Sequence, residues 1–396
     1  MKRRMIQSIL TTLFVFIVPV GLVFGAEPVK VGIVWPLTGP IAASGSYLKG
    51  GAEIARDKIN AEGGILGRPL RLMIEDGAND PAQSVSAAEK LVTRDKIDVI
   101  IAAWGSSPTL AVSSSVTRKY GIPHVVETAT ADKVTNDGGK RPNPWLFRTS
   151  PTNRVEAEGV EKYLVSKMGF SQVAMLAVNN DWGRGMVEEL TTVIKRSGGK
   201  VTAVEFINQD ANEFLTQLGK INSSGANSII ITTEMVQVAE VLKQAKQLTM
   251  KQKILTTAGG VVPEGLIDLA GIEAAEGVYI LRFNSLPLGT SAPGFEALTK
   301  IPEEAKWFVN EFLKRGNSVK GMDDGYRSYD ALKAIKTALE IAKTTDKEKV
   351  REAFYKVDVW GLTGPIKFDE FGQSRPSINC IQIKNGKAFL PDFLTQ

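Results

Sequence analysis

The residues best placed to do chemistry stand together at Trp104-Gly105-Ser106-Ser107-Pro108-Thr109. An apolar run over residues 97–103 reads as a buried parallel strand feeding into them. Ser106 or Ser107 can cap a helix whose first turn carries Pro108, where proline fits best. Strand, glycine, serine and helix start together aim unpaired backbone N–H groups and a hydroxyl at one spot. Such a spot favours an anion, a carboxylate or a phosphate group. An ordinary strand-to-helix turn has the same pattern, so this stretch alone settles nothing.

Other chemistries lack their residues. The single histidine, His124, begins an apolar strand and reads as a core residue. One histidine and one cysteine, Cys380, cannot assemble the usual metal cluster. There is no Gly-x-Ser-x-Gly elbow, no Gly-x-x-x-x-Gly-Lys-Ser/Thr loop and no Gly-x-Gly-x-x-Gly after a strand. Glu75, Asp76 and Asp80 are close in sequence, but they fit helix capping at Pro81 better than acid–base work. No catalytic residues, metal or cofactor are expected.

The elements that would position the Ser106 stretch alternate regularly. Strands are expected at 29–35, 68–75, 97–103 and 122–128, with helices between them. After Pro151 the alternation restarts, with strands at 172–178, 201–207, 228–232, 253–257 and 277–283. The end is β-rich, with strands at 364–368 and 378–383 and a hairpin turn at Asn385-Gly386. Two such series imply an α/β fold with two parallel sheets, each covered by helices. Ligands of open parallel sheets bind at the carboxyl ends of the strands.

The chain has 396 residues, 43% hydrophobic and 23% charged, enough for two domains. Its net charge is +5, but Lys2, Arg3 and Arg4 belong to a leader. No basic patch argues for nucleic acid. Residues 5–24 are apolar and uncharged and lead to Gly25-Ala26-Glu27, the form of a secretory signal peptide spanning residues 1–26. Cleavage after Gly25, cleavage after Ala26 and retention as an anchor all fit this stretch. No cysteine follows that could carry a lipid, and no later run is long enough to cross a bilayer.

Several stretches resemble the type I solute-binding proteins of branched-chain amino acid ABC transporters. They are Gly32-Ile33-Val34-Trp35-Pro36-Leu37-Thr38-Gly39-Pro40, Ile59-Asn60-Ala61-Glu62-Gly63-Gly64-Ile65-Leu66-Gly67, Glu75-Asp76-Gly77-Ala78-Asn79-Asp80-Pro81, Gly105-Ser106-Ser107, Asp181-Trp182-Gly183-Arg184-Gly185, Tyr329-Asp330-Ala331 and Gly361-Leu362-Thr363-Gly364-Pro365. The resemblance implies two doubly wound parallel-sheet lobes joined by three crossovers, near 148–151, 281–284 and 357–358. Lobe one would hold 28–148 plus 284–357, and lobe two 149–283 plus 358–396. A monomer would close about its hinge on the ligand and present the closed form to a membrane permease, outside the cytoplasm in the periplasm.

By the same resemblance, Ser106 binds a ligand carboxylate, and Thr128, Ala129 and Thr130 supply backbone groups and a hydroxyl. Trp104 matches an apolar wall and Ser44 an aromatic one. Trp182 matches an aromatic residue of lobe two, Glu234 a second lobe-two tyrosine, and Asp324 an apolar pocket position. Two departures stand out. Ala258 occupies the place of the glutamate that holds the ligand ammonium in amino-acid binders. Asn79 and Gly105 replace a cysteine pair. The function implied is delivery of a small carboxylate, foremost an amino acid with an apolar side chain. The alternatives are an amine-free aromatic or aliphatic carboxylate, or delivery to a sensor rather than a permease.

Overall fold

The computed structural model describes residues 27–257, 259–283, 303–362, 364–376, 378–389 and 391. The leader 1–26, Ala258 and Asn284 of the expected second crossover lie outside the described residues. The first sheet contains β1 (Val29–Trp35), β2 (Leu70–Asp76), β3 (Val99–Ala102), β4 (His124–Val126) and β5 (Leu146–Arg148), in the order β2-β1-β3-β4-β5 and all parallel. The second contains β6 (Gln172–Val178), β7 (Lys200–Ile207), β8 (Ser228–Thr232), β9 (Lys253–Thr256) and β10 (Tyr279–Phe283), again parallel among themselves. A two-stranded hairpin, β11 (Asp358–Trp360) and β12 (Pro365–Lys367), follows. Then β13 (Ile378–Lys384) and β14 (Lys387–Phe389) extend the second sheet antiparallel beyond β10.

Alternation along the strands builds a core on each face. Ile101 enters one core of the first sheet, whereas Ile100 and Ala102 enter the other. In β8, Ile229 and Ile231 face one core and Ile230 the opposite one. Both faces are buried, which is why these strands are continuous apolar runs. The Asn385-Gly386 turn forms as expected, with both residues at positive φ (51° and 67°), as a tight two-residue hairpin requires. Among the described residues, no helix is long and apolar enough to cross a membrane.

The third crossover differs from the expected 357–358. Val357, Leu362, Ile366 and Phe368 all lie in the first lobe's core. Phe147 stacks on Phe354 at 4.5 Å and meets Phe368 edge-on at 5.5 Å. The β11–β12 hairpin is thus held in lobe one by its aromatic packing, and the chain passes to lobe two between Phe368 and Ile378. Arg148, at the end of β5, ties this passage to the first one. It is wholly buried, and it donates to the carbonyls of Ala131 (2.7 Å) and Ala129 (3.3 Å), to Thr135 Oγ1 (2.5 Å) and to Gln373 Oε1 (2.5 Å).

Two long helices, Ala42–Ala61 and Met322–Ala342, cross at a backbone-to-backbone contact in lobe one. A Cβ at Gly51 would lie 2.2 Å from the Gly325 carbonyl oxygen and 2.5 Å from Ser328 Oγ. This approach carries residues 323–327 to the mouth of the first sheet. Gly51→Ala should therefore lower stability by roughly 1–3 kcal/mol through overpacking. Gly219→Ala, where an added Cβ meets nothing within 4 Å, should be neutral or mildly stabilising. Urea denaturation of the two variants checks the contrast.

His124 is fully buried in β4, its Nε2 donating to the Ala102 carbonyl and its Nδ1 3.4 Å from Thr117 Oγ1. Burial lowers its pKa from 6.5 to about 4. The unfolded chain therefore takes up this proton first as pH falls. The contribution of His124 to stability is complete above about pH 6.5 and is lost progressively down to about pH 4, by about 3 kcal/mol. His124→Gln should remove that part of the acid sensitivity, measured as the difference between urea midpoints at neutral and mildly acidic pH.

Candidate functional site

The carboxyl ends of the two sheets face each other across a cleft. From lobe one it is lined by Trp104, Gly105 and Ser106 after β3 and by Thr128 and Thr130 after β4. From lobe two come Asn180 and Trp182 after β6, Glu234 after β8, and Gly259 and Gly260 after β9. Asn79, Glu156 and Arg327 complete the wall. The lobes meet around its rim. Lys133 pairs with Asp181 and Lys320 with Asp268, each at 2.5 Å, and the Asp181 N–H donates to Ser107 Oγ at 3.2 Å.

Six of the nine expected site residues line the cleft: Trp104, Ser106, Thr128, Thr130, Trp182 and Glu234. Ser106 is not the helix cap. Gly105 holds that position, and Thr109 Oγ1 closes back onto the Gly105 carbonyl at 2.8 Å, so Ser106 begins helix Ser106–Val112. Its buried Oγ accepts from the Ala131 N–H at 3.2 Å. That contact leaves the hydroxyl hydrogen to donate.

The residues after β4 divide differently from the expectation. Thr128 donates its hydroxyl to the Trp104 carbonyl. Thr130 donates its own to Asn153 Oδ1 at 2.7 Å, and Asn153 Nδ2 donates to the Trp182 carbonyl at 3.2 Å. A buried hydroxyl must spend its hydrogen, and Thr130 spends it on the lobe-two helix rather than toward the cleft. Ala129 stands behind the cleft, its carbonyl accepting from Ser150 Oγ (2.9 Å) and Arg148 (3.3 Å).

Trp104 is more than an apolar wall. It is 7% exposed, and its indole Nε1 has no hydrogen-bond partner among the described residues. A buried N–H left unmet on a cleft wall asks for an acceptor there. Trp182 sits in the first turn of helix Asp181–Arg196, where Asn180 Oδ1 caps the Gly183 N–H at 3.0 Å. A Cβ at Gly259 would lie 2.6 Å from the Trp182 ring, so the glycine admits the indole.

One end of the cleft is charged. Glu234 is half-buried and occupies the N-cap position of helix Met235–Gln247 without capping it. Across from it, on helix Met322–Ala342, Arg327 lies 3.8 Å from Asp324 and 3.9 Å from Asp323, and Asp323 also pairs with Arg282 of β10. Glu127 stands behind them, with Trp35 Nε1 donating to its Oε1 at 2.6 Å. Burial pushes Glu127 up to about 8 against the Trp35 bond and the Arg327 charge. Asp324 is raised to about 6, again by burial against Arg327, with Asp323 adding to the rise. Glu234 is raised well above the usual carboxylate range by burial and by Asp324, with Arg327 opposing. Ser44 and Asp324 do not line the cleft. The Ser44 hydroxyl bonds Asp324, which is buried beside Arg327.

Arg327 and Glu156 escaped sequence reading. Arg327 had a signal in its spacing, since Asp323 and Asp324 precede it by four and three residues on a helix whose first eleven residues are all buried. Charges at that spacing inside a buried helix have to pair. Glu156, in the first turn of helix Asn153–Leu164, had none, because an acidic residue in a first turn is common on any surface helix.

A family model described as periplasmic binding protein matches residues 28–388. The leucine-, isoleucine-, valine-, threonine- and alanine-binding protein of Pseudomonas aeruginosa is 26% identical over 347 residues, covering 88% of this chain and 87% of that protein. The crystal structure of a leucine-binding protein, LivK, from Thermotoga maritima aligns with a TM-score of 0.80 at 25% identity, over 92% of this chain and 97% of that one. A solute-binding protein from R. palustris in complex with benzoate aligns with a TM-score of 0.76 at 19% identity, over 91% and 95% of the two chains, and so shares the fold. The chain belongs to the periplasmic binding protein family, with the type I fold of the branched-chain amino acid receptors of ABC transporters.

Proposed function

We propose that this chain is the periplasmic receptor of an ATP-driven importer for a small carboxylate, foremost an amino acid with an apolar side chain. It binds and releases its ligand without chemical change. Lobe one takes the carboxylate, lobe two swings over it, and the closed pair is what the permease engages.

The observation that carries this reading is the pair of donors at the end of β3. Ser106 keeps a hydroxyl hydrogen to give, and Trp104 Nε1 is buried without a partner beside it on the same cleft wall. A carboxylate accepts from both. The indoles of Trp104 and Trp182 cover the apolar part of the ligand, and burying a side chain of that kind adds about 1.5–3 kcal/mol. Shape therefore comes from the tryptophans and identity from the polar groups. Ala258, where amino-acid binders carry a glutamate, favours a second reading in which the same seat takes an amine-free carboxylate.

Calorimetry tests the seat. Ser106→Ala should weaken binding of any carboxylate ligand by roughly tenfold or more, the loss of one hydrogen bond to a charged group. Unchanged affinity would remove Ser106 from the site. Trp104→Phe keeps the ring and deletes the N–H, and should weaken the same ligands by a comparable factor without lowering the unliganded melting temperature.

A further inference from the structure

The carboxylate seat at the end of β3 has two donors, Ser106 and Trp104 Nε1, and a third polar side chain stands beside them. We propose that Asn79 is a ligand-binding residue of that seat, its side-chain amide donating to the carboxylate together with Ser106 and Trp104, and that the charge of the side chain at position 79 decides between a carboxylate and the corresponding carboxamide. This role rests on the carboxylate-receptor reading and adds to it a residue from a different loop.

Position speaks first. Asn79 lines the cleft with Trp104, Gly105 and Ser106, although it belongs to the turn after β2. A Cβ at Gly105 would lie 2.4 Å from Asn79 Oδ1 and 3.3 Å from its Cγ. The amide is therefore pressed against the residue that separates Trp104 from Ser106. Its Oδ1 is the arm turned into Gly105, and Nδ2 is the arm turned away. On a residue that lines the cleft, that second arm is the one left for a ligand.

The turn itself is built to hold the side chain there. Ala78 and Asn79 both have left-handed backbone, φ 47° and 55°, which residues other than glycine rarely adopt. Asp76 holds the turn from one side. Its Oδ1 accepts from the N–H groups of Leu37 and Ala78, each at 2.8 Å, and its Oδ2 from Thr38 Oγ1 at 2.5 Å. Asp80 holds the other side, its N–H donating to the Gly77 carbonyl at 2.8 Å and its Oδ1 accepting from the Gln83 N–H at 2.8 Å. A group fixed this firmly loses little freedom when a ligand takes it. Asparagines that serve the fold of this chain spend their amides inside it. Asn60 exchanges two bonds with the Leu70 backbone, and Asn143 Nδ2 donates to Ser113 and Thr117. Asn79 bonds neither arm to another described residue, and its Oδ1 is buried.

Charge makes a third donor necessary. Among the described residues, Arg327 is the only cation lining the cleft. It stands 3.8 Å from Asp324 and 3.9 Å from Asp323, and its charge also acts on Glu234. A carboxylate at the end of β3 must then be met by neutral groups, and an anion leaving water needs several such bonds. Its two oxygens offer about four lone-pair sites, to which Ser106 and Trp104 bring one hydrogen each. The Asn79 amide brings the rest. A carboxamide differs at one atom, which donates where the carboxylate accepts. Asparagine can meet either by turning its amide over, whereas an aspartate at this position would accept from the carboxamide and repel the carboxylate.

The test uses the full mature chain and its Asn79→Gly, Asn79→Asp and Ser106→Ala variants. Calorimetry at neutral pH measures the standard amino acids, their deaminated acids and benzoate, and the carboxamides of those that bind. Glycine keeps the left-handed backbone without strain. Asn79→Gly should therefore leave the unliganded melting temperature unchanged and weaken every bound acid by roughly tenfold, the loss of one hydrogen bond to a charged group. Asn79→Asp should weaken the same acids further and lower the ratio of acid to carboxamide affinity. Unchanged acid affinity in Asn79→Gly overturns the inference. So does an unchanged ratio in Asn79→Asp, and so does a lowered melting temperature in Asn79→Gly with acids and carboxamides weakened alike, which makes Asn79 a residue of the fold. In each of these cases a Ser106→Ala variant that still loses acid affinity leaves the carboxylate receptor standing. Failure of every acid in the panel to bind the unmodified protein rejects both.

Discussion

The site depends on a guanidinium that never reaches water. Arg148 is buried at the junction of the lobes, and moving such a group out of solvent costs several kcal/mol unless its donors are met. Here the meeting groups are the carbonyls of Ala129 and Ala131, the Thr135 hydroxyl and the Gln373 amide. Burial lowers the Arg148 pKa to about 10, with Asp132, Asp369 and Glu156 opposing, so the group stays charged at neutral pH. Its geometry therefore fixes the 129–131 segment from behind. The Ala131 N–H then meets Ser106 Oγ, and this contact sets the direction in which the serine can donate. Gln373 carries the same fixing to the third crossover, where its Nε2 donates to the Ser150 carbonyl at 2.8 Å. One buried cation thus joins the ligand seat to the strands about which the lobes would turn.

The rim contacts cannot do the same work for closure. Lys133–Asp181 and Lys320–Asp268 are partly exposed, and pairs of that kind contribute about 0–1 kcal/mol each. Arg282–Asp323 is buried and spans the lobes, but desolvation offsets much of its attraction. The balance between open and closed forms is consequently left to what fills the cleft. A receptor needs this arrangement, since lobes that closed firmly on their own would respond little to ligand.

Strands were legible in the sequence because both faces of each sheet are covered. β1, β6 and β8 fall on the apolar runs residue for residue, and the Asn385-Gly386 turn was written in its side chains. The third crossover was not legible. Residues 358–368 read as β-rich, but only the packing of Phe368 on Phe147 and Phe354 says which lobe they join. At the site, the types of Ser106, Trp182 and Glu234 and their places after strands were enough to bring them to the cleft. Partner choice was not. That Thr130 would spend its hydrogen on Asn153 depends on a contact 23 residues away that no local pattern encodes.

Those partner choices carry the coupling between the lobes. Thr130 belongs to the lobe-one wall and Trp182 to the lobe-two wall, and Asn153 holds both at once through its two side-chain atoms. The Asn153 N–H also donates to the Thr130 carbonyl at 2.7 Å. The first turn of helix Asn153–Leu164 is therefore fastened to the loop after β4, and Trp182 to that turn. A shift of the 129–131 segment on filling the Ser106 seat would be felt at the Trp182 loop without any contact between ligand and Asn153. The amide is suited to this because it donates from one atom and accepts at the other, whereas an aspartate there could hold Thr130 but would place a second acceptor against the Trp182 carbonyl. In this cleft the hydrogen-bond polarity of a residue behind the wall, more than the shape of the wall, decides whether Thr130 and Trp182 move as one.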